Sequence, residues 1–160
     1  MTDPATPETL LLVDDEEMVL TSLCSFLALE TDYTTLPFPS PLAALAYAQD
    51  HAVDLVPSDY LMPEMDGISF LQQMKILMPE VPRILLTGYA DKANAIKAIN
   101  EVGLFQYIEK PWDNDDLRII LRNALEKRHL MNQLQTKLGE IDQAYAGLQA
   151  IQQAVLKTFV

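Results

Sequence analysis

The sequence predicts an α/β protein in which helices cover both faces of a doubly wound parallel sheet. Five short apolar runs alternate with segments of helical periodicity, a pattern that is typical of β-α-β units. The chain has 160 residues, 49% of them hydrophobic and 21% charged, which is enough for one globular domain with some chain to spare. This composition excludes a disordered chain. The single cysteine, Cys24, lies on an apolar helical pattern and excludes both a disulfide-stapled miniprotein and a thiolate metal site.

The predicted elements alternate strictly along the chain. The strands are Thr9–Val13, Tyr33–Pro37, Val53–Ser58, Arg83–Thr87 and Phe105–Ile108. The helices are Glu16–Glu30, Pro41–Gln49, Gly67–Met78 and Asp91–Val102, and a fifth helix begins near Asp113. Ser40 followed by Pro41 is a typical helix start, and Asp113 or Asn114 is a suitable cap for the last helix. Pro57 lies inside the third strand and lacks a hydrogen-bond donor, so we expect a local irregularity there.

The last helix is longer than one domain of this size can cover. Counted from Leu117 in alternating steps of three and four residues, it carries an apolar seam that only Lys127 and Gln152 interrupt and that runs to Phe159. We therefore predict that the helix docks at its start and protrudes as a dimeric coiled coil after about Arg128. The alternative is an amphipathic helix that folds back on its own domain.

Three segments follow from these patterns. They are an N-terminal tail at 1–7, a globular domain at 8–128 and a coiled-coil helix at 129–160. Leu121 and Leu125 lie outside the seam, and we expect them to pack on the sheet. The chain stops in mid-seam without a capping residue, so we expect a fragment whose coiled coil continues toward a further domain.

Charge is distributed unevenly along the chain. The first 116 residues contain 20 acidic and five basic residues, whereas the remaining 44 contain three acidic and six basic ones. The net charge of −12 argues against direct nucleic-acid binding, because a phosphate-binding surface needs clustered lysine and arginine. No apolar run approaches the length of a membrane span and the first residues lack a signal sequence, so we expect a soluble, cytoplasmic protein without membrane contact.

Acidic residues follow two of the predicted strands. Asp14 and Asp15 come directly after the first strand, and Asp59 comes directly after the third. If these strands are neighbours, the three carboxylates converge beyond the carboxyl ends of the sheet, where doubly wound folds bind ligands. Such carboxylates repel one another unless a cation joins them, and a set of oxygen ligands suits Mg²⁺. The alternative is that the acids only complement the positive end of the next helix and that Asp59 begins a turn.

Two further strand ends add a hydroxyl group and an ammonium group. Thr87 ends the fourth strand and Lys110 follows the fifth. With a carboxylate nucleophile and a divalent cation, they provide the charge neutralisation and positioning that phosphoryl transfer onto an aspartate requires. Taken separately, Thr87 would be a helix cap and Lys110 a solvated lysine. An aspartate-nucleophile, Mg²⁺-dependent phosphatase uses a similar set of groups, but this chain has no insertion that would form a substrate pocket.

Four segments resemble the receiver domain of two-component response regulators, in the order and at the spacing of that family. They are Leu11-Leu12-Val13-Asp14-Asp15-Glu16, Ser58-Asp59-Tyr60-Leu61-Met62-Pro63-Glu64-Met65-Asp66-Gly67, Leu85-Leu86-Thr87-Gly88-Tyr89 and Tyr107-Ile108-Glu109-Lys110-Pro111. The resemblance covers about residues 8–128. It implies a flavodoxin-like parallel sheet with strand order 2-1-3-4-5.

The resemblance also implies how a metal ion is held. Asp15 and Asp59 would bind Mg²⁺ directly, together with the main-chain carbonyl of Leu61. Asp14 would act mainly through a bound water. Mg²⁺ is therefore the expected cofactor.

The same resemblance assigns catalytic and switch roles. Asp59 would be the phosphoacceptor, taking the phosphoryl group from a phosphohistidine on a sensor histidine kinase or phosphotransfer protein. Lys110 would pair with one phosphoryl oxygen, and the Thr87 hydroxyl would move to bond another. Tyr107 matches the switch aromatic of the family, whose ring turns inward once the threonine has moved.

The expected function is a phosphorylation-dependent signalling switch, which changes its own phosphorylation state and is not an enzyme toward other substrates. The signal would pass through the final helix of a homodimer to an output domain or a partner. The segment Lys110–Asp113 and the helix after it are similar to regulators with a cyclic-di-GMP phosphodiesterase output of the HD-GYP type, and a free-standing dimeric adaptor is the alternative. A pseudo-receiver that only dimerises is a further alternative, which the complete set of acids, threonine and lysine disfavours.

Overall fold

The computed structural model describes residues 6–159, except for the side chains of Tyr89 and Phe159. The predicted N-terminal tail lies largely outside these residues. The strands are β1 (Thr9–Val13), β2 (Thr34–Phe38), β3 (Val56–Asp59), β4 (Arg83–Thr87) and β5 (Gln106–Glu109). The helices are α1 (Glu17–Glu30), α2 (Pro41–Asp50), α3 (Gly67–Leu77), α4 (Lys92–Val102) and α5 (Asn114–Phe159).

The five strands form one sheet in which every neighbouring pair is parallel. Their order is β2-β1-β3-β4-β5, which confirms the predicted flavodoxin-like fold. After β2, the chain passes over β1 to form β3 on its other side. In such sheets the crevice at the carboxyl ends of these two strands is where ligands bind.

Alternate residues of the central strand β1 enter two hydrophobic clusters. Leu11 and Val13 pack in the cluster covered by α2, α3 and α4, whereas Leu10 and Leu12 pack in the cluster covered by α1 and the start of α5. All four side chains are at most 1% exposed. A parallel sheet that is covered on both faces needs apolar residues at successive positions, which explains the uninterrupted apolar run. Each fully buried leucine contributes about 2 kcal/mol.

Short polar side chains begin three of the helices. The Ser40 hydroxyl accepts a hydrogen bond from the amide of Ala43 at the start of α2. Asp66 caps α3 by accepting from the Ser69 amide. Asp113 caps α5, because one of its oxygens accepts from the amides of the second and third helical residues at 2.9 and 3.1 Å. The predictions for Ser40 and Asp113 are confirmed.

The third strand is shorter than predicted, because pairing with β1 is interrupted next to Pro57. β1 and β3 pair at Val13 and Ser58, and Leu10 forms an isolated bridge with Leu55. The Leu11 amide donates to the Leu55 carbonyl. Since alternate residues of a strand face the same neighbour, the nitrogen of Pro57 also faces β1 and has no hydrogen to donate. The expected irregularity is present, and the strand begins at Val56 rather than Val53.

Other observed limits of the strands and of the first four helices differ from the predicted ones by at most one residue. β2 begins at Thr34, whose amide donates to the carbonyl of Glu8, and β5 begins at Gln106. A 3-10 turn at Tyr89–Asp91 precedes α4, so that helix begins at Lys92 rather than Asp91. Hydrogen bonds to neighbouring segments set these limits. Hydrophobic periodicity cannot predict such bonds.

α5 is continuous from Asn114 to Phe159, but its residues belong to two compact units. The first unit ends at Leu125 and the second comprises Glu126–Val160. In the first unit, Leu121 and Leu125 are buried in the cluster covered by α1, as predicted. In the second unit, the large apolar side chains between Leu130 and Leu156 are exposed. Within residues 6–159, no helix combines the length and the apolar character that crossing a membrane requires.

Candidate functional site

The candidate site lies at the carboxyl edge of the sheet. Asp14 follows the last residue of β1, and Asp59 is the last residue of β3. Because Val13 pairs with Ser58, these two aspartates leave the sheet side by side. One carboxylate oxygen from each of Asp14, Asp15 and Asp59 lies within 4.8 Å of the others. The predicted convergence of the three acids is thus present.

The three carboxylates have different hydrogen-bond partners. Asp14 is 1% exposed and accepts from the Glu16 amide at 2.9 Å, and Asp59 is 7% exposed and accepts from the Tyr60 amide at 2.9 Å. Asp15 Oδ1 is buried and has no hydrogen-bond partner among the described residues. A buried carboxylate oxygen without a donor is costly, and a cation would satisfy it. The donor set therefore fits Mg²⁺, a hard cation that prefers oxygen ligands.

Lys110 binds both of the most buried acids. Its Nζ lies 2.8 Å from Asp14 Oδ2 and 3.0 Å from Asp59 Oδ1. The backbone holds this side chain in place, since the Lys110 amide donates to the carbonyl of Thr87 at 2.8 Å. The lysine therefore links the end of β5 to the acids at the ends of β1 and β3.

Burial and charge move the pKa values of the paired groups. Burial, with a smaller contribution from the charge of Asp14, raises the pKa of Asp59 from 3.8 to about 6, although the hydrogen bond from Lys110 opposes this shift. Burial lowers the pKa of Lys110, but its hydrogen bonds to Asp14 and Asp59 outweigh that effect and leave the pKa raised. The site thus holds a carboxylate that is costly to ionise in the absence of a cation.

Without divalent cations, we expect the free energy of unfolding near pH 7 to be higher for Asp59→Asn than for the native chain. The folded protein binds the Asp59 proton more tightly than the unfolded chain does. The stability that the bound proton of Asp59 contributes is therefore fully present below the unfolded pKa of 3.8 and is lost as the pH rises through about 6. The difference between the two chains should be small near pH 4 and about 3 kcal/mol near pH 7. Urea unfolding in EDTA across this range measures it.

The matched control is Glu64→Gln, because Glu64 is an exposed acid in the loop between β3 and α3. It should unfold like the native chain at each pH. A stability difference between native and Asp59→Asn that does not change with pH would contradict the raised pKa of Asp59.

Thr87 and Tyr107 lie on the same face of the sheet. Leu85 pairs with Tyr107, and Thr87 follows Leu85 by two residues. Thr87 is fully buried, and its hydroxyl donates to the carbonyl of Gly88 at 3.3 Å. Tyr107 is half-buried against the cluster covered by α2, α3 and α4. Thr87 is therefore at the edge of the sheet that carries the acids, and in this state its hydroxyl is engaged by the neighbouring backbone.

Leu61 lies in the loop that follows β3, two residues beyond Asp59. Its side chain is 61% exposed, so packing does not explain a leucine at this position. The predicted role concerns its main-chain carbonyl, and it stays a prediction.

Gly67 is a site residue whose role the sequence did not reveal. Its amide donates to the carbonyl of Tyr60 at 2.6 Å, and a Cβ atom at this position would collide with the backbone carbonyl oxygen of Asp59. The first turn of α3 therefore packs directly against the backbone that presents Asp59. Two sequence signals point to this position: Gly67 ends the second segment that resembles receiver domains, and it lies at the predicted start of a helix, where glycine has no advantage for helix formation.

Comparisons with known proteins agree with this geometry. The family model of the response regulator receiver domain matches residues 10–122. Regulatory protein AtoC of Escherichia coli is 37% identical over 134 residues, which cover 79% of this chain and 29% of AtoC. Response regulator Rre1 of Synechocystis is 29% identical over 153 residues, which cover 94% of this chain and 66% of Rre1. The chain thus spans less than a third of AtoC and about two thirds of Rre1.

A solved structure supports the same assignment. The signal receiver domain of an HD domain-containing protein from Pseudomonas fluorescens superposes with a TM-score of 0.73 at 38% identity, and the match covers 78% of this chain and 98% of that one. Receiver domains bind Mg²⁺ in an acidic pocket, and Asp14, Asp15 and Asp59 form such a pocket here. Because the family model matches well over half of the chain and the sheet has the strand order expected of the fold, the chain belongs to the family of response regulator receiver domains.

Proposed function

We propose that this chain is the phosphoryl-accepting switch of a two-component system and that Asp59 receives the phosphoryl group from a histidine kinase or a phosphotransfer protein. Membership of the receiver family supports a phosphorylation-dependent signalling role in general. The observation that carries the specific proposal is the contact of Lys110 with both Asp14 and Asp59, beside a buried oxygen of Asp15 that has no hydrogen-bond partner within residues 6–159.

Asp15, Asp59 and the main-chain carbonyl of Leu61 would hold Mg²⁺ directly, and Asp14 would act through a water. When bound, the cation neutralises negative charge on the carboxylates and on the phosphoryl oxygens. A buried Asp15 oxygen that no described residue satisfies and the raised pKa of Asp59 both support a cation at this position.

The transfer itself is a displacement at phosphorus. A carboxylate oxygen of Asp59 forms the new O–P bond while the P–N bond of the phosphohistidine breaks, and its electron pair stays on the imidazole nitrogen. Lys110 changes partners, moving from the Asp59 carboxylate to a phosphoryl oxygen and stabilising the charge that accumulates there. Its anchoring bond to the Thr87 carbonyl keeps the ammonium group close during this change.

Thr87 and Tyr107 would report the new charge to the rest of the domain. The Thr87 hydroxyl leaves the Gly88 carbonyl and donates to a phosphoryl oxygen, which vacates space on the face of the sheet that Tyr107 shares. The Tyr107 ring then turns inward. The domain is thereby a two-state element that a local charge biases.

Acetyl phosphate with Mg²⁺ is expected to add one phosphoryl group to the native chain, and Asp59→Asn is expected to abolish the adduct because the nucleophilic carboxylate is lost. Intact mass spectrometry before and after treatment measures the addition. Glu64→Gln is the matched control, since it removes an exposed carboxylate five residues away and should leave the adduct unchanged.

Two results would contradict this proposal. If a folded chain that binds Mg²⁺ forms no adduct, the pseudo-receiver interpretation is favoured. If acetyl phosphate is consumed rapidly without a trapped adduct, the aspartate-nucleophile phosphatase is favoured.

The proposal extends to a homodimer formed through the second part of α5. Ile141→Glu combined with Leu148→Glu is expected to convert the dimer to a monomer, because it places two charges in the predicted apolar seam. Light scattering measures the mass. The control is Thr136→Glu with Gln143→Glu, which adds the same charge on the opposite face of the helix and should leave the dimer intact. A dimer that survives the seam substitutions would contradict the proposal.

The output of the switch lies with a further domain or a partner. The structural relative from Pseudomonas fluorescens is the receiver of an HD domain-containing protein, which supports an HD-type output as one candidate. In this proposal the chain catalyses only the change of its own phosphorylation state and relays it through α5.

A further inference from the structure

The second compact unit, Glu126–Val160, carries a broad apolar stripe. Ten large apolar side chains in it are 46–64% exposed: Leu130, Met131, Leu134, Leu138, Ile141, Tyr145, Leu148, Ile151, Val155 and Leu156. Between Leu130 and Val155 the helix is about 39 Å long, at 1.5 Å per residue. A stripe of this length that remains exposed in the single chain needs a partner of matching length.

The stripe consists of two overlapping seams. Both contain a shared column with the residues Leu134, Ile141, Leu148 and Val155. Seam A adds the column Met131, Leu138, Tyr145 and Gln152, and seam B adds the column Leu130, Lys137, Ala144 and Ile151. Each seam has the alternating spacing of three and four residues that a coiled coil requires, and seven of its eight positions are apolar.

The two seams are closely matched alternatives. Gln152 is the one polar position of seam A, and Lys137 is the one polar position of seam B. Gly139 and Gly147, the weakest helix formers of this segment, lie in neither seam. At 3.5 residues per turn, a helix passes from seam A to seam B by rotating about 50° around its own axis. The shared column stays in the interface during that rotation.

The side chains beside seam A favour a second copy in parallel orientation. In a parallel, in-register pair, Lys137 of one chain lies across from Asp142 of the other. By symmetry, two such lysine–aspartate ion pairs form. Ile151 likewise lies across from Leu156 and extends the apolar contact. Within a single chain, the partner of Lys137 is the exposed carboxylate of Glu140 at 3.4 Å. Such an exposed ion pair contributes little to the stability of the helix.

We propose that the second unit of α5 binds the same helix of a second copy in parallel and exchanges between seam A and seam B. We also propose that phosphorylation of Asp59 changes the ratio of the two packings, a step that rests on the function proposed above. A signal then leaves the chain as a rotation of two continuous helices. A small free energy is enough to shift two packings of similar apolar content.

Disulfide crosslinking of the full chain tests both statements. On a Cys24→Ser background, Tyr145→Cys reports seam A, Ala144→Cys reports seam B, and Gln143→Cys lies outside both and serves as the control. Under mild oxidation, positions 144 and 145 should both crosslink and position 143 should not. Gln152→Leu should raise crosslinking at 145 and Lys137→Leu should raise it at 144, each at least threefold relative to the other position. Acetyl phosphate with Mg²⁺ should change the ratio by a similar factor.

Crosslinking at only one of positions 144 and 145 under all conditions would overturn the two-seam proposal, and so would equal crosslinking at 143. Light scattering that gives a trimer or tetramer would overturn it too, because a wider bundle uses all three columns at once. Intact mass on the same samples separates the two proposals. If no adduct forms, the proposed function fails, whereas the responses to Gln152→Leu and Lys137→Leu still decide the two seams. An adduct that leaves the ratio unchanged refutes the phosphorylation step alone.

Discussion

Replacing Lys110 with alanine is expected to slow adduct formation from acetyl phosphate about 100-fold and, without divalent cations, to lower the free energy of unfolding by about 3–5 kcal/mol. In the native chain the Lys110 ammonium lies within 3.0 Å of both Asp14 and Asp59, which are at most 7% exposed. Its removal leaves two buried carboxylates without their common cation. The same change removes the donor that would stabilise charge on the transferred phosphoryl group. Urea unfolding and the rate of mass addition measure the two effects.

Two controls separate these effects from loss of a positive charge alone. Lys97→Ala removes an exposed lysine that lies 3.8 Å from Glu101, so its effect on stability should stay within about 0.5 kcal/mol. Lys110→Arg keeps the charge but replaces a compact ammonium by a planar fork, so it should restore most of the stability and only part of the rate. Saturating Mg²⁺ should stabilise Lys110→Ala more than the native chain. If Lys110→Ala unfolds and reacts like the native protein, the lysine does not hold the acid cluster together.

The elements that sequence periodicity predicted best are those whose apolar runs are buried on both faces. β1 and β4 have the limits that were predicted. All their residues are buried except Thr9, the first residue of β1, which is partly exposed. The limits of β3 differ from the prediction because the nitrogen of Pro57 faces β1. The sequence shows that this nitrogen cannot donate, but only the structure shows which neighbouring strand loses the hydrogen bond. The 3-10 turn before α4 likewise depends on a backbone hydrogen bond from Asp91 to Gly88.

The convergence of the site residues was predictable from residue types at strand ends, but their contacts were not. Asp14, Asp15 and Asp59 could be placed together because parallel strands end at one edge of a sheet. Lys110 binds two of them, and a buried oxygen of Asp15 has no partner in the described part of the chain; both facts depend on distances of a few ångströms. The second apolar seam of α5 was visible in the sequence. Periodicity alone did not predict it, because the first seam already satisfied the heptad pattern.

Replacing Gly67 with alanine is expected to lower the free energy of unfolding by about 3 kcal/mol and to slow adduct formation about 100-fold, although position 67 bears no reactive group. A Cβ atom there would overlap the carbonyl oxygen of Asp59 and approach the backbone of Tyr60. Backbone cannot swing aside as a flexible side chain can, so either the first turn of α3 or the strand end that presents Asp59 must move. Urea unfolding and mass addition from acetyl phosphate measure the two effects.

Two glycines provide matched controls for the same substitution. Gly88 lies next to Thr87 at the same edge of the sheet, and Gly139 lies in the second unit of α5. At either position an added Cβ meets no described atom within 4 Å beyond the adjacent residues and, for Gly139, the backbone of its own helix. Gly88→Ala should leave adduct formation close to native, and Gly139→Ala should raise stability by up to about 1 kcal/mol, because alanine favours the helix. If Gly67→Ala matches Gly88→Ala in both rate and stability, the backbone of Asp59 tolerates displacement. The position of the Asp59 carboxylate would then depend on its contact with Lys110 rather than on the packing of α3.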